Sequence, residues 1–485
     1  MHPDNWKRTA GIAGGLILFA TLFVWKPASL SNDAMKVLAV AALMITWWVT
    51  EAMPMPAVAL LPLILFPLLG IASIKQTASS YGDSIIFLFL GGFMLGLAIE
   101  KWNLHKRIAL SIVKLTGSSG DRIILGFILA TGFISMWLSN TATTMMMFPI
   151  ASSVIVVIGS AVNGQAKSAN FSLALMLSIA YASNFGGIAT IIGTPPNVAF
   201  AAFIKQRYDY TIQFLDWMMI CLPIALLLLF SLYVVLTKIL YRNHIRSDDK
   251  TQTLVADQLH ALGPMTVQEK RVMVIFVCTA MLWITKDLIN LTGFIELDDT
   301  MIALIGSTAL FLCPSGHEGG RLLDWSDTSR MAWGILLLFG GGIALAAALQ
   351  EAGLIEKLGQ AVSGIAGTNV LLMVFAVTVV SLFVSEVMSN IAQVIVFSPV
   401  VAGIAEATGF HPLMLGIAMT LAASCASMMP MGTPPNAIVF GSGQIKFTQM
   451  VRAGFVMNLV AIVLITLFCY VVVPLVIPAA ELLKK

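Results

Sequence analysis

Two short polar motifs interrupt long apolar segments of this chain, and each occurs twice. Ser139-Asn140-Thr141 is followed by Gly193-Thr194-Pro195-Pro196-Asn197, and Ser389-Asn390-Ile391 by Gly432-Thr433-Pro434-Pro435-Asn436. A Ser-Asn pair offers a hydroxyl, an amide oxygen and an NH2 group, so it can cap a helix start and also present polar atoms to a ligand. The helix beginning there adds free N–H groups and a partial positive charge, which suit an anion. Two such tips meeting at the membrane midplane would hold an anion without arginine, and the serine hydroxyls and nearby carbonyls suit a hard cation such as Na+. In GTPPN, glycine relaxes the backbone and two prolines withhold donors, so a helix stops and carbonyls upstream are freed. The stretches before it, Ser183-Asn184-Phe185-Gly186-Gly187 and Ser424-Cys425-Ala426-Ser427, are small and polar, as a cavity wall should be. One Ser-Asn alone reads as a hairpin turn or an interhelical hydrogen bond, and one GTPPN as a proline kink. Two sets in register read as a transporter-type site built from broken helices.

Other candidates are few. Glu386 lies between Ser385 and Ser389, and an acid inside an apolar segment is a candidate by default. It can orient the hairpin, bind a cation or carry a proton; capping nearby backbone N–H groups is the favoured role. The aligned position in the first repeat is Met136, so a strict two-fold role is excluded. Cys221, Cys278, Cys313, Cys425 and Cys469 lie in or beside apolar runs without metal-type spacing and read as small core hydrophobes. No HExxH, HxxxH or Walker A sequence occurs, and no Ser-His pairing or paired intramembrane acids suggest an enzyme.

The elements that must position these residues are membrane spans. Of 485 residues, 58% are hydrophobic and 11% charged, against about 25% charged in soluble domains. A net charge of +3 is too small to suggest nucleic acid. A span needs about 20 mainly apolar residues. Candidates are 9–27, 34–51, 54–73, 83–100, 122–138, 171–190, 213–240, 271–291, 299–313, 332–350, 370–388, 411–430 and 450–478. The first could pass for a signal peptide, but no small-x-small cleavage site follows and another apolar run begins at once, so it reads as a retained span. The pieces 139–160 and 389–405 read as halves of re-entrant hairpins, and 197–204 and 436–441 as second halves of helices broken at GTPPN. Met145-Met146-Met147 reads as packing.

The chain divides into 1–240, a polar connection at 241–270 expected on the cytoplasmic side, and 271–485. The halves repeat: Leu90-Gly91-Gly92 recurs as Phe339-Gly340-Gly341, and Ser135, four residues before Ser139, as Ser385 before Ser389. Charge suggests inversion. Residues 100–122 hold Lys101, Lys106, Arg107, Lys114 and Arg122, whereas 350–372 holds Lys357 alone. Basic connections stay inside, so the first is expected in the cytoplasm and its counterpart outside. The 101–120 stretch also alternates apolar and basic residues, as a surface-lying helix would.

At these residues the chain resembles the divalent anion–sodium symporter (INDY-like) family, over about residues 34 to 478. The resemblance implies an all-α polytopic membrane protein with two inverted repeats, re-entrant hairpins, broken helices and about eleven spans. It further implies a homodimer with an elevator-type movement of the substrate part against a scaffold. The implied activity is transport of C4-dicarboxylates such as succinate, malate or fumarate with co-transported sodium ions. Alternatives on the same fold are sodium-independent dicarboxylate exchange, or sulfate or citrate transport. By position, Ser139, Asn140 and Thr141 would contact one carboxylate and Ser389 and Asn390 the other, with Thr194, Pro195, Thr433 and Pro434 completing the substrate site. One Na+ would sit among Ser135, Ser139, Asn140, Gly186 and Gly187, and a second near Ser385, Asn390 and Ala426. Two cations compensate a dianion. Ile391 departs from the family's threonine and removes a hydroxyl, which favours a carbon chain over sulfate. The expected partners are the small dianion, the lipid bilayer and a second copy. A bacterial inner membrane is expected because no organelle-type leader is seen.

Overall fold

The computed structural model describes residues 3–477 apart from 26–29, 118, 162–164, 244, 246–255, 294, 317–319 and 358–368. Parts of the 241–270 connection and of the 350–372 stretch therefore lie outside the described residues. The described chain is helical, with one isolated bridge between Pro314 and Arg321.

The first half carries α1 (Pro3–Val24), α2 (Asn32–Val49), α3 (Leu61–Leu69), α4 (Ser84–Lys101) and α5 (Leu104–Thr116). It continues with α6 (Gly120–Ser135), α7 (Asn140–Ala161), α8 (Gln165–Gly187), α9 (Pro195–Tyr208) and α10 (Phe214–Val234). The second half carries α11 (Val267–Asn290), α12 (Asp299–Leu312) and α13 (Trp333–Glu351), then α14 (Val370–Ser385) and α15 (Asn390–Thr408). It ends with α16 (Pro412–Ser424), α17 (Pro434–Phe440) and α18 (Phe447–Val476). Among the described residues, seven helical stretches are long and apolar enough to cross a bilayer.

The breaks fall where the polar motifs interrupt the apolar pattern. Segment 122–138 and the piece after it become α6 and α7, which part at Met136–Ser139 and pack on each other. Segments 171–190 and 411–430 end early, at Gly187 and Ser424, and resume as α9 and α17, each with proline at its first turn. Segment 54–73 forms a shorter apolar helical run, Met55–Leu69, made of Met55–Val58 and α3 with Ala59 and Leu60 between them in helical conformation. Helix α5 is amphipathic, with Leu104, Ala109, Leu110 and Val113 buried and Lys106 and Lys114 exposed. Of the cysteines, Cys221, Cys425 and Cys469 are core residues as expected, but Cys313 is half-buried and Cys278 is exposed.

Two groups of helix contacts can be distinguished, and they also pack on each other where α13 meets α9 and α15. A framework pairs α1 with α2, α4 with α12, and α12 with α11, and α13 packs across α2 and α4. The other group interlocks the halves. Helix α9, which follows the first GTPPN, packs on α15 and α16 of the second half, and α17 packs on α7 and α8 of the first. Each half-helix thus completes the other repeat. The repeated Gly-Gly pairs serve close approach. A Cβ on Gly91 would lie 2.7 Å from the Ala303 carbonyl carbon in α12, and one on Gly341 would strike the Ala59 carbonyl oxygen.

Gly91→Val is therefore expected to cost about 1–3 kcal/mol, because backbone on the facing helix cannot move aside. Thermal unfolding of the purified protein in detergent checks this, and an unchanged midpoint would contradict the α4–α12 contact.

Candidate functional site

Each hairpin turns on a serine one turn before its Ser-Asn pair. Ser135 Oγ lies 2.7 Å from Asn140 Oδ1 and 2.7 Å from the Ser183 carbonyl. In the second repeat Ser385 Oγ lies 2.7 Å from Asn390 Oδ1 and also hydrogen-bonds the Ala423 carbonyl. Ser135 and Ser385 are fully buried. In both repeats the arrangement gathers a hydroxyl, an amide oxygen and a main-chain carbonyl within hydrogen-bond distance. That oxygen-rich set suits a hard cation, which takes oxygen ligands. Gly187 closes against the first set, since a Cβ there would strike Asn140 Oδ1.

The helix breaks are held by the last residue of each GTPPN motif. Asn197 Nδ2 donates to the Gly187 and Thr190 carbonyls at 3.2 and 2.8 Å. Asn436 Nδ2 donates to those of Ala426 and Met429 at 3.3 and 3.1 Å. These are carbonyls released where α8 and α16 stop, and a buried carbonyl needs a donor. The amide oxygens Asn197 Oδ1 and Asn436 Oδ1 are both buried without a hydrogen-bond partner. Unpartnered acceptors at matching places are what a bound cation or water would satisfy.

A buried polar link joins the motifs of the two repeats. Asn140 Nδ2 reaches Asn184 Oδ1 at 3.5 Å, and Asn184 Nδ2 donates to Thr433 Oγ1 at 3.1 Å. Thr433 caps α17 by accepting from Asn436 N at 3.4 Å. The first hairpin is thus connected to the second GTPPN through one buried amide. By its place after the accepting carbonyl, Ser424 is the second-repeat equivalent of Asn184, and its Oγ is buried without a partner. The shorter side chain leaves the reciprocal link unmade.

Glu386 caps the other side of the second break. Its Oε1 accepts from Ser427 N and Met428 N, each at 2.9 Å, and from Asn458 Nδ2 at 2.6 Å. Its Oε2 accepts from Met429 N at 2.9 Å. The backbone-capping role expected of this acid is the one it takes.

The remaining candidates fall as follows. Ser139 is exposed, and its Oγ accepts from Ala142 N at 3.2 Å as the helix cap. Thr141 and Ile391 are half-buried on the first turns of α7 and α15. Ser389 caps α15 without a side-chain bond, which leaves its hydroxyl available. Thr194 is buried, Pro195 half-buried and Pro434 exposed. Gly186 packs on the Gly132 carbonyl of α6 rather than on Asn140, and the Ala426 carbonyl faces Asn436. Asn184, Thr190, Asn197, Asn436 and Asn458 were not singled out as site residues. Asn197 and Asn436 end the GTPPN motifs, and Asn184 lies in the polar stretch before the first. Asn458 is a buried polar residue in the apolar stretch of α18 that follows Arg452, a signal in its own right.

Paired hairpin turns set against two broken helices define a helical, multi-pass membrane protein of transporter architecture. The family described as the sodium:sulfate symporter transmembrane region matches residues 3–477, and the chain belongs to that family. It is 40% identical over 470 residues to a protein of Staphylococcus saprophyticus named sodium-dependent dicarboxylate transporter SdcS, covering 96% of this chain and 91% of that one. It is likewise 40% identical over 474 residues to the protein of that name from Staphylococcus aureus strain USA300, with the same coverage of 96% and 91%. Among solved structures it resembles MtrF of Neisseria gonorrhoeae, at TM-score 0.59 and 13% identity, over 94% of this chain and 97% of MtrF. It also resembles the YdaH transporter of Alcanivorax borkumensis, at TM-score 0.55 and 13% identity, over 98% of each chain. At these identities the likeness is one of fold.

Asn184→Ala removes the inter-repeat bond while Thr433 Oγ1 still accepts from Asn436 N, and Thr433→Val removes the bond and the α17 cap and leaves Asn184 Nδ2 without that partner, each at a cost of about 1–3 kcal/mol. The double variant is expected to lose less than the two single losses combined, and a double-mutant cycle on thermal stability measures it. Strict additivity would mean that the bond carries no coupling.

Proposed function

We propose that the chain carries C4-dicarboxylates such as succinate, malate or fumarate across the bilayer in symport with sodium. The observation that carries this reading is the duplicated oxygen-rich set of Ser135, Asn140 and the Ser183 carbonyl and of Ser385, Asn390 and the Ala423 carbonyl. Serine and asparagine cannot cancel a dianion by charge. Helix starts and co-bound cations must do so, which makes anion affinity depend on sodium. The names of the Staphylococcus relatives point the same way.

In this reading Ser139, Asn140 and Thr141 meet one carboxylate and Ser389 and Asn390 the other, with Thr194, Pro195, Thr433 and Pro434 at the flanks. One sodium ion takes Ser135, Ser139, Asn140, Gly186 and Gly187, and the other Ser385, Asn390 and Ala426. The interlocked body of α6–α10 and α14–α18 moves against the framework, the repeats are inverted, and two copies associate through their frameworks. The family's description names sulfate, but Ile391 brings apolar surface to the first turn of α15, which favours a substrate with a carbon backbone.

Succinate uptake into proteoliposomes under an inward Na+ gradient, or with K+ in its place, tests the reading. Uptake into empty vesicles that requires Na+ is expected. Uptake only into succinate-loaded vesicles, indifferent to Na+, would make the protein an exchanger. Asn140→Ala is expected to lower uptake at least a hundredfold while the protein still folds, and normal uptake by that variant would refute the site assignment.

A further inference from the structure

Glu386 is 3% exposed, and its four partners are neutral donors: the backbone N–H groups of Ser427, Met428 and Met429 and the side-chain amide of Asn458. Both oxygens accept, Oε1 from three donors and Oε2 from one. Glutamine would turn an NH2 group toward Met429 N or toward the other three donors. The helix that supplies Asn458 is brought close by Gly454 one turn earlier, where a Cβ would lie 2.5 Å from Met428 Cα. Hydrogen bonds spread the negative charge but do not cancel it, and a charge left uncancelled in an apolar interior is costly. A cation close by relieves that cost.

The carboxylate is adjacent in the chain to the second cation reading. Glu386 follows Ser385, and Ser427, which it holds, follows Ala426, so it grips the chain on both flanks of the second cation reading. The first repeat does the same job without charge. There Met136 replaces the acid, and its carbonyl accepts from Thr190 Oγ1 at 2.5 Å. The two sites are therefore alike in oxygen ligands and unlike in charge.

We propose that Glu386 sets the sodium affinity of the second-repeat site, by fixing the 427–429 turn and by supplying a negative charge, so that this site fills at lower sodium than the first. Glu386 is a positioning residue: it acts through the turn and its field, and it is not assigned as a ligand. The proposal rests on the sodium-symport reading above.

The test is the sodium dependence of succinate uptake in proteoliposomes holding the wild type, Glu386→Gln or Glu386→Asp, together with the sodium-dependent rise in thermal stability of each in detergent. Wild-type uptake is measured first with K+ replacing Na+; if it is unchanged, the symport reading fails before any variant is considered. Given sodium dependence, Glu386→Gln is expected to raise half-saturating sodium at least about tenfold, since one unit charge even about 12 Å away at an effective dielectric of about 20 is worth a factor of ten. Its succinate KM at saturating sodium stays within about twofold, and its sodium stabilisation shifts to correspondingly higher concentration. Glu386→Asp keeps the charge and is expected to stay within about threefold of the wild type in half-saturating sodium. A Gln variant with a lower maximal rate but unchanged sodium half-saturation would reduce Glu386 to a packing residue and overturn the proposal. Proton-driven uptake by the wild type in place of sodium would do the same. If the Gln variant does not fold, the Asp variant decides: a rise of about tenfold in its half-saturating sodium overturns the proposal, and a value within about threefold supports it.

Discussion

The structure depends on one constraint: a backbone polar group freed at membrane depth must find a partner inside the protein. The chain breaks four apolar helical runs, at Met136–Ser139, after Gly187, at Glu386–Ser389 and after Ser424. Breaks strand carbonyls or N–H groups, and polar side chains answer three of these four. Asn197 and Asn436 reach back to released carbonyls, Thr190 takes the Met136 carbonyl, and Glu386 collects three N–H groups. The same residues then leave oxygen atoms without partners, notably Asn197 Oδ1 and Asn436 Oδ1. Stabilising a broken helix and creating a polar site are here one act, because the side chains small enough to enter the turn carry more polar atoms than the turn uses.

The two repeats obey this constraint differently. Their hairpins superimpose in logic down to the serine that joins an asparagine to a carbonyl. Past the break they diverge. The first repeat has Asn184, long enough to reach Thr433, where the second has Ser424, which reaches nothing. The second has the acid where the first has Met136. A duplicated site need not be a symmetric one. A single dianion lying between two tips does not demand equal ends, and divergence at these positions sets the ends apart while the serine–asparagine core remains.

Much of this was legible in the sequence, and the rest was not for definite reasons. The duplicated motifs located all four breaks, since a polar pair or a double proline inside an apolar run has few other uses. Segment 54–73 gives the helical run Met55–Leu69, shorter than its apolar composition suggests, with an irregular step at Ala59 and Leu60 just before Pro62. Asn458 and Thr190 escaped notice because each is a lone polar residue with no repeated counterpart, and their partners lie across the fold. Gly186 and Gly187 looked like one turn. In the structure they face opposite ways, one toward α6 and the other toward Asn140, a distinction that rests on how α8 packs rather than on residue type.

The contact of α9 and α15 with α13 combines apolar packing with ion pairs at its edge. There the small residues Ala199, Ala202, Gly342 and Ala346 face the large ones Phe203, Phe339, Ile343 and Ile395, and Ile395 packs directly onto Gly342. The charged end of α9 supplies the fixed points. Lys205 pairs with Asp83 at 3.1 Å at the start of α4, and Arg207 bonds Glu356 beyond α13 at 2.8 Å and Glu406 of α15 at 2.6 Å. These groups are partly exposed, and such pairs contribute about 0–1 kcal/mol each. The interior polar bonds of the breaks lie deeper, among the helices that interlock the two halves, so the site rests on partners contributed by both repeats.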